Sequence, residues 1–438
     1  MRDLKVHDQL YNLISGDEDA RVCKDIPAAA CNDQPRNFFA YLGANTLGKL
    51  ADELSSARLV LPWMLGTLGV PAAFTGFLVP IRESGVLLPQ MAVAAYVRRM
   101  PLRQPVWLLG AALSALSLFG MAAAAMTLEG AATGWAIIVL LILFSLARGL
   151  CSVSAKDVLG KTVSKSRRGR LMGWSAGVGG LLTLAAGAWL TSLPEAGAGP
   201  EIFALLLGAG GAIWLVALVM FGGISEQPGA TEGGGNALQV ALHNLRLLRD
   251  DLPFRRFVLG RISLLAVALA PPFYVLLAQQ QAPEGAAGLG MMVIASGFAA
   301  AVSSPLWGIL GDRSSRTVMA LAAAGAGLLG VVVSVAAFTQ QAWLGHGWVH
   351  ALIFMSLTIM HSGVRLGRKI YLVDMATAQT RAAYVAVSNS VIGVMMLVGG
   401  LVGLLGDWLG VAAVIALLAA GALLAAVESL RLPEVSEA

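Results

Sequence analysis

Gly308-Ile309-Leu310-Gly311-Asp312-Arg313-Ser314-Ser315-Arg316 is a charged break between two apolar runs, Ala287–Leu310 before it and Val318–Phe338 after it. Each run is about 20 residues long, the length of a helix that crosses a bilayer core. The same alternation of apolar run and short polar break extends outward in both directions. Of the 438 residues, 57% are hydrophobic and 13% charged, against about 25% charged in an average soluble domain. A mean hydropathy of +0.75 leaves too little polar surface to face water. The ten-residue alternation of an outer-membrane barrel is absent, so the spanning elements are helices.

Twelve spans are predicted. They lie near Arg58–Phe77, Leu78–Val97, Pro105–Met126, Thr133–Ala155, Leu171–Thr191 and Ile202–Ile224 in the first half. In the second half they lie near Phe257–Leu277, Ala287–Leu310, Val318–Phe338, Val349–Leu372, Tyr384–Leu405 and Val411–Glu428. Basic residues fall on alternate breaks: Arg98, Arg99 and Arg103; Lys156 to Arg170; Arg246 to Arg256; Arg313 and Arg316; Arg368, Lys369 and Arg381. The other breaks carry Glu129, Glu195, Glu201, Glu284 and Asp407, with Arg82 as their one basic residue. By the positive-inside rule the basic breaks and both termini are cytoplasmic. The net charge of +5 therefore reports topology and not nucleic-acid binding.

The layout expected is a cytoplasmic segment over 1–57, a six-helix bundle over 58–224, a cytoplasmic connector over 225–256, a second bundle over 257–430 and a cytoplasmic tail over 431–438. In the connector a Gly-rich stretch is followed by Leu238, Ala241, Leu242, Leu245 and Leu248 at helical spacing, which predicts an amphipathic helix on the inner leaflet. Gly149 and Gly363 stand 214 apart, as do Arg99 and Arg313; Arg168, Ser175, Gly180 and Gly187 match Arg381, Ser388, Gly393 and Gly400 at 213. A near-constant offset argues for two pseudo-symmetric six-helix halves, an architecture recurrent in transporters.

The stretch from Gly308 through Asp312 and Arg313 to Arg316 resembles the loop signature of the major facilitator superfamily. The twelve spans, cytoplasmic termini, long central connector and repeat of six strengthen the likeness, which covers Arg58 to Leu430. A further likeness to proteobacterial members of unassigned function rests on the Cys-containing N-terminal segment and on Lys156-Asp157-Val158-Leu159-Gly160-Lys161-Thr162-Val163. The resemblance implies that Asp312 anchors the N-terminal end of the fifth span near Gly169–Leu171. It also implies that spans four and ten line a central cavity. Asp312→Asn is accordingly expected to impair transport, and Asp407→Asn to spare it. The first-half copy departs from the signature, with Arg98 in place of its Asp and Pro101 in place of its second Gly. The fifth span lacks the proline of the antiporter signature, so drug–proton antiport is not supported.

Substrate-binding candidates are Arg148, His361, Arg365 and Gln90. Arg148 sits two-thirds along the fourth span, where a guanidinium must face water, pair or snorkel. His361, Arg365 and Arg368 share one helical face; Arg368 and Lys369 fit interfacial anchors. Glu83, beside Arg82, is either locally paired or a titrating coupling group. Gly308, Asp312, Arg313 and Arg316 form the gating motif. The glycines of spans five and eleven fit close helix packing. Cys23 and Cys31 lack zinc-site spacing and are expected as thiols. No nucleotide loop, metal site, cofactor motif or nucleophile–base pair is legible. These readings converge on a monomeric, non-enzymatic secondary transporter of the inner membrane. A small solute, possible proton coupling and the lipid bilayer are its partners. Because deep cations outnumber deep carboxylates, an organic anion is the expected solute. A transporter-like sensor and a membrane-embedded enzyme are the rival readings.

Overall fold

The computed structural model describes residues 26, 28–90, 93, 96, 97, 99–193, 199–229, 231, 245–377 and 380–435. Its elements are α1 (Gln34–Leu54), α2 (Val60–Thr67), α3 (Ala72–Leu87), α4 (Gln104–Thr127), α5 (Gly130–Thr162), α6 (Lys165–Thr191), α7 (Pro200–Gly222), α8 (Leu252–Ser263), α9 (Leu265–Leu269), α10 (Pro271–Gln281), α11 (Gly285–Gly311), α12 (Ser315–Phe338), α13 (Gly347–Met375), α14 (Arg381–Gly399), α15 (Val402–Leu409) and α16 (Val411–Leu430). Among the described residues, ten helical segments are long and apolar enough to cross a membrane. The broken pair α1–α2, and α3, complete twelve passes. The protein is an all-helical membrane protein of two six-pass bundles. The first is built on α1, α3, α4, α5, α6 and α7; the second on α8 through α16.

The opening of the chain differs from the sequence reading. Gln34–Leu54 is not a segment outside the bundle but its first pass, packed against α6 and α7. Hydropathy hides it because it carries Asn37, Asn45, Lys49, Asp52 and Glu53. Several of its polar groups are satisfied within the fold. The Asn45 amide donates to Ser175 Oγ at 2.7 Å, Gln34 Oε1 accepts from the Ser164 N–H at 2.9 Å, and Asn37 Oδ1 accepts from the Ser225 N–H at 2.8 Å. The turn into α3 falls at 68–71, inside what reads as one apolar run. Gly69, at φ 65°, takes a left-handed conformation that other residues resist, and Pro71 precedes α3. Arg82 therefore lies well inside α3 and is no exception to the charge asymmetry of the breaks.

The expected connector helix lies largely outside the described residues, which hold only Leu247–Asp250 of it as helix. Cys31, expected as a thiol, is disulfide-bonded. Cys23 lies outside the described residues, and Cys151 is free and buried.

The repeat shows in how each bundle is tied at its basic end. Glu226, just past α7, accepts from the Arg103 and Gln104 N–H groups at 2.8 and 2.7 Å and from Lys161 Nζ at 2.7 Å. Glu434, just past α16, accepts from Ser314 Oγ at 2.7 Å and pairs with Arg316 at 2.9 Å. Each carboxylate thus follows the last helix of its bundle and closes on the start of the third, α4 or α12. The expected tail is packed down at this point, with Leu432 buried.

The halves meet along α2–α10, α3–α14–α15 and α6–α11. The tightest approaches lie at the end opposite the basic loops. A Cβ on Gly76 would stand 2.5 Å from the Gly403 Cα, and one on Gly187 3.1 Å from the Gly290 carbonyl oxygen. Asp407 accepts from the N–H groups of Ala72 and Ala73 at 2.7 and 3.1 Å. It joins the C-terminal half to the first turn of α3, where free N–H groups and the helix dipole favour an anion. The glycines of α6 divide: Gly187 is in close contact, whereas a Cβ on Gly173, Gly177 or Gly180 would meet no neighbouring element within 4 Å. The molecule is closed at its turn end and open toward its basic end.

Gly76→Val should overpack the α3–α15 crossing at a cost of about 1–3 kcal/mol and lower the midpoint of thermal unfolding in detergent. Gly173→Ala should hold or slightly raise it, since Ala is favoured over Gly in a helix by roughly 1 kcal/mol. An unchanged midpoint in Gly76→Val would remove that crossing from the resting structure.

Candidate functional site

The interior cavity arises where helices are interrupted. The first pass breaks between α1 and α2, over Ser55–Leu59, and the seventh breaks between α8 and α10. Pro271 and Pro272 open α10. Pro271 has no N–H to donate to the Val267 carbonyl, and Pro272 none for Ala268, so two successive backbone bonds are missing where the helix is interrupted. Broken passes beside a polar cavity are tolerated because the freed backbone groups face protein or water and not lipid.

Two connected chambers occupy this region. The smaller, about 380 Å³, is bounded by the α1–α2 break, α3, Pro271 and α13. The larger, about 960 Å³, runs between α6 and α11 toward the basic end. Asp52, Glu53, Ser296 and Arg365 line both. The smaller chamber adds Arg58, Arg82, Glu83 and His361; the larger adds Lys49 and Lys369.

The charges fall into paired and unpaired sets. Asp52 receives Arg148 through two bonds, Nε to Oδ1 at 3.0 Å and the terminal nitrogen to Oδ2 at 2.8 Å. Arg82 stands 3.5 Å from the same carboxylate. The Arg148 guanidinium also stacks 4.3 Å over Trp214, and Arg82 lies 5.3 Å over Phe144. Arg58 and Glu83 pair at 2.7 Å. In contrast, Glu53 and Arg365 line both chambers, and neither side chain is in any hydrogen bond or ion pair described for this structure. His361, 7% exposed, has both ring nitrogens buried without a hydrogen-bond partner. The Val267 backbone is near the ring but outside bonding geometry.

Set against the sequence reading, the cavity gathers His361, Arg365 and Glu83. It does not gather Arg148, which is held by Asp52 behind the lining, or Gln90, which is half-buried on the extension of α3 and outside both chambers. Gly308 lines the larger chamber. Asp312 and Arg313 are exposed, and the expected bond from Asp312 to the start of α6 is not made, because the basic end is open. Arg316 is occupied by the chain's own end, through Glu434 and the Leu432 carbonyl at 2.9 Å. Asp407, expected to be a bystander, caps α3 across the two halves. Asp52, Glu53 and Arg58 do not stand out in the sequence as site residues because they sit in or beside a polar segment and not inside an apolar run. The signal was available: two adjacent carboxylates one helical turn beyond Lys49, on a segment ending at an apolar run.

No protein-family model and no curated protein matches this sequence. Solved structures do match. The nucleoside transporter NupG (D323A mutant) superposes with a TM-score of 0.70 at 12% identity, covering 90% of this chain and 99% of that one. The inward-open xylose transporter XylE from E. coli gives 0.66 at 14%, covering 91% and 97%. The chain has the major facilitator fold. A POT family transporter in complex with 5-aminolevulinic acid gives 0.67 at 10%, covering 90% and 95%. At these identities the likeness concerns architecture alone.

Arg148→Gln should destabilise the protein by about 3–5 kcal/mol, the cost of stripping one partner from a buried pair, because Asp52 keeps only the more distant Arg82. Asp52→Asn combined with Arg148→Gln should lose less than Arg148→Gln alone. Unfolding in mixed micelles measures both; equal losses would show that the pair is not coupled.

Proposed function

We propose that the protein is a secondary active transporter that carries a small organic anion across the inner membrane by alternating access. The observation that carries this reading is the cavity between the halves, whose basic side chains exceed its carboxylates and whose Arg365 stands unpaired. Lys49, Arg58, Arg82, Arg365 and Lys369 face Asp52, Glu53 and Glu83 there. A cavity of that sign draws in an anion, and a free guanidinium grips a carboxylate or phosphate through two parallel bonds. The solutes named for the similar folds are a nucleoside, xylose and 5-aminolevulinic acid, so the architecture does not select the solute; the lining side chains do. The charge asymmetry of the breaks supports cytoplasmic termini. With that orientation the open end faces the cytoplasm.

The Arg58–Glu83 pair supplies a route to proton coupling. An anion that draws Arg58 to itself leaves Glu83 without its partner, and a carboxylate so stranded favours protonation. A similar fold is described as a D-xylose-proton symporter, which supports the same reading. Arg365 is the anchor, His361 and Arg58 are contacts, Glu83 is the coupling group, Asp407 caps the closed end, and Asp312 would cap the other end only when that end closes.

Uptake of labelled solutes into proteoliposomes tests transport against a sensor or an enzyme, which would accumulate nothing. Arg365→Gln should weaken binding of an acidic solute at least tenfold, while Arg368→Gln, outside both chambers, should change it less than threefold. Equal effects would remove Arg365 as the anchor. For topology, a cysteine at Glu129 should react with an impermeant maleimide on intact cells and one at Arg313 should not; the reverse would invert the orientation. Asp407→Ala should increase labelling of a cysteine at Thr75, inside the closed end, by shifting the conformational equilibrium by about 1–3 kcal/mol; unchanged labelling would show that the cap does not hold that end shut.

A further inference from the structure

Among the described residues the lining holds one carboxylate and three cations outside any hydrogen bond or ion pair: Glu53, with Lys49, Arg365 and Lys369; Lys49 and Lys369 line only the larger chamber. Arg365 on α13 and Glu53 at the end of α1 both line both compartments. Every other carboxylate of the lining is engaged: Asp52 by Arg148 and Arg82, Glu83 by Arg58. Glu53 and Arg365 are close enough to feel each other's charge, yet they are not an ion pair. Beside them is an imidazole with both nitrogens buried and unbonded, and a buried polar group left so has a ligand or water as its natural partner.

These observations restrict the solute beyond its acidic group. A simple carboxylate seated on Arg365 would bring its charge toward Glu53 and be repelled by it. A dicarboxylate whose second charge fell at Glu53 would be repelled there as well. An amine alone would face Arg365, Arg58 and Arg82. A solute with an acidic group at one end and an amine at the other matches Arg365 and Glu53, the two unpaired charges that border both compartments, and meets neither repulsion. We propose that the cavity binds a zwitterion, an amino-bearing organic acid whose acidic group sits on Arg365 and whose ammonium sits on Glu53, with His361 hydrogen-bonding between them. This inference rests on the anion reading above, in that Arg365 is taken as the anchor of the acidic end.

The experiment measures binding to the purified full-length protein by ligand-dependent thermal shift and calorimetry. The probes are unbranched ω-amino acids of two to six carbons, each with the matching monocarboxylate, dicarboxylate and alkylamine. At least one amino acid is expected to bind tenfold or more tighter than the monocarboxylate of its length, with the dicarboxylate and alkylamine weaker still. Glu53→Gln should reduce that preference to within twofold, and Glu53→Asp should restore part of it. Arg365→Gln should weaken the amino acid and the monocarboxylate together. If the acids bind through Arg365 with no preference for the amine, or if Glu53→Gln keeps the preference, the zwitterion proposal is overturned and the anion reading stands. If neither the amino acids nor the acids bind, both fall. Unliganded melting midpoints of the variants, compared with wild type, separate lost binding from lost folding.

Discussion

A charge inside a bilayer must be paired, hydrated or neutralised, and the bidentate contact of Arg148 with Asp52 is where this protein meets that demand most fully. The contact ties α1, the least apolar of the passes, to α5. Through Arg82 the same carboxylate reaches α3. Without it, α1 would present an unpaired Asp beside an unpaired Lys49, and the segment would have little reason to lie in the bundle at all. The paired guanidinium, resting on Trp214, in turn positions the end of α1, where Glu53 and the break before α2 define one wall of the cavity. Stability of the first pass and the shape of the site therefore share one ion pair. A buried pair of this kind adds little net stability over an apolar substitute but is costly to break from one side, which makes it a device for fixing geometry.

Around that fixed point the cavity sorts its charges by function. Pairs that hold helices together are short and shared between elements: Arg148 with Asp52, Arg58 with Glu83. Three of the groups left open, Glu53, Arg365 and His361, sit where the α1–α2 and α8–α10 breaks interrupt two passes. Helix interruption and unpaired polarity coincide because both depend on the same condition. Backbone and side-chain groups can remain unsatisfied by protein only where water or a solute can reach them.

The sequence exposed most of the fold and half of the site, and the division has a physical cause. Apolar runs bounded by basic breaks mark helices that face lipid, so α4 through α16 fall close to where the hydropathy places them. The first pass faces protein on most sides and the cavity on the rest. Its Asn37, Asn45 and Asp52 are satisfied by Ser225, Ser175 and Arg148, partners more than 90 residues away along the chain. Local composition cannot show that, and it shifted the first two passes out of register, placing Arg82 and Glu83 at a surface they do not occupy. The basic half of the site, Arg365 and His361, was legible because a charge inside a strongly apolar run stands out. Of the acidic groups Glu83 stood out in the same way, whereas Asp52 and Glu53 were hidden because they lie in a run already rich in polar residues. The anion reading, drawn from cations alone, consequently left out Glu53.

The two ends of the molecule are closed by different chemistry, and this bears on how it could move. At the turn end Gly76 meets Gly403 and Gly187 meets Gly290, backbone against backbone, with Asp407 capping α3 across the interface. Such contacts depend on steep short-range forces, so they are made fully or lost together. At the basic end the surfaces are longer side chains: Asp312 and Arg313 exposed, Lys49 and Lys369 across the larger chamber, and α6 glycines facing open space. Closing that end would bring Asp312 toward the N-terminal turn of α6, where free N–H groups favour an anion as those of α3 favour Asp407. One carboxylate and one helix N-terminus at each end would then be engaged alternately. The solute's contribution would be to cover Glu53 and Arg365, whose unpaired charges otherwise resist removal from water. An empty cavity would thus be held open by its own electrostatics, while one filled by a ligand of matching charge would be free to close.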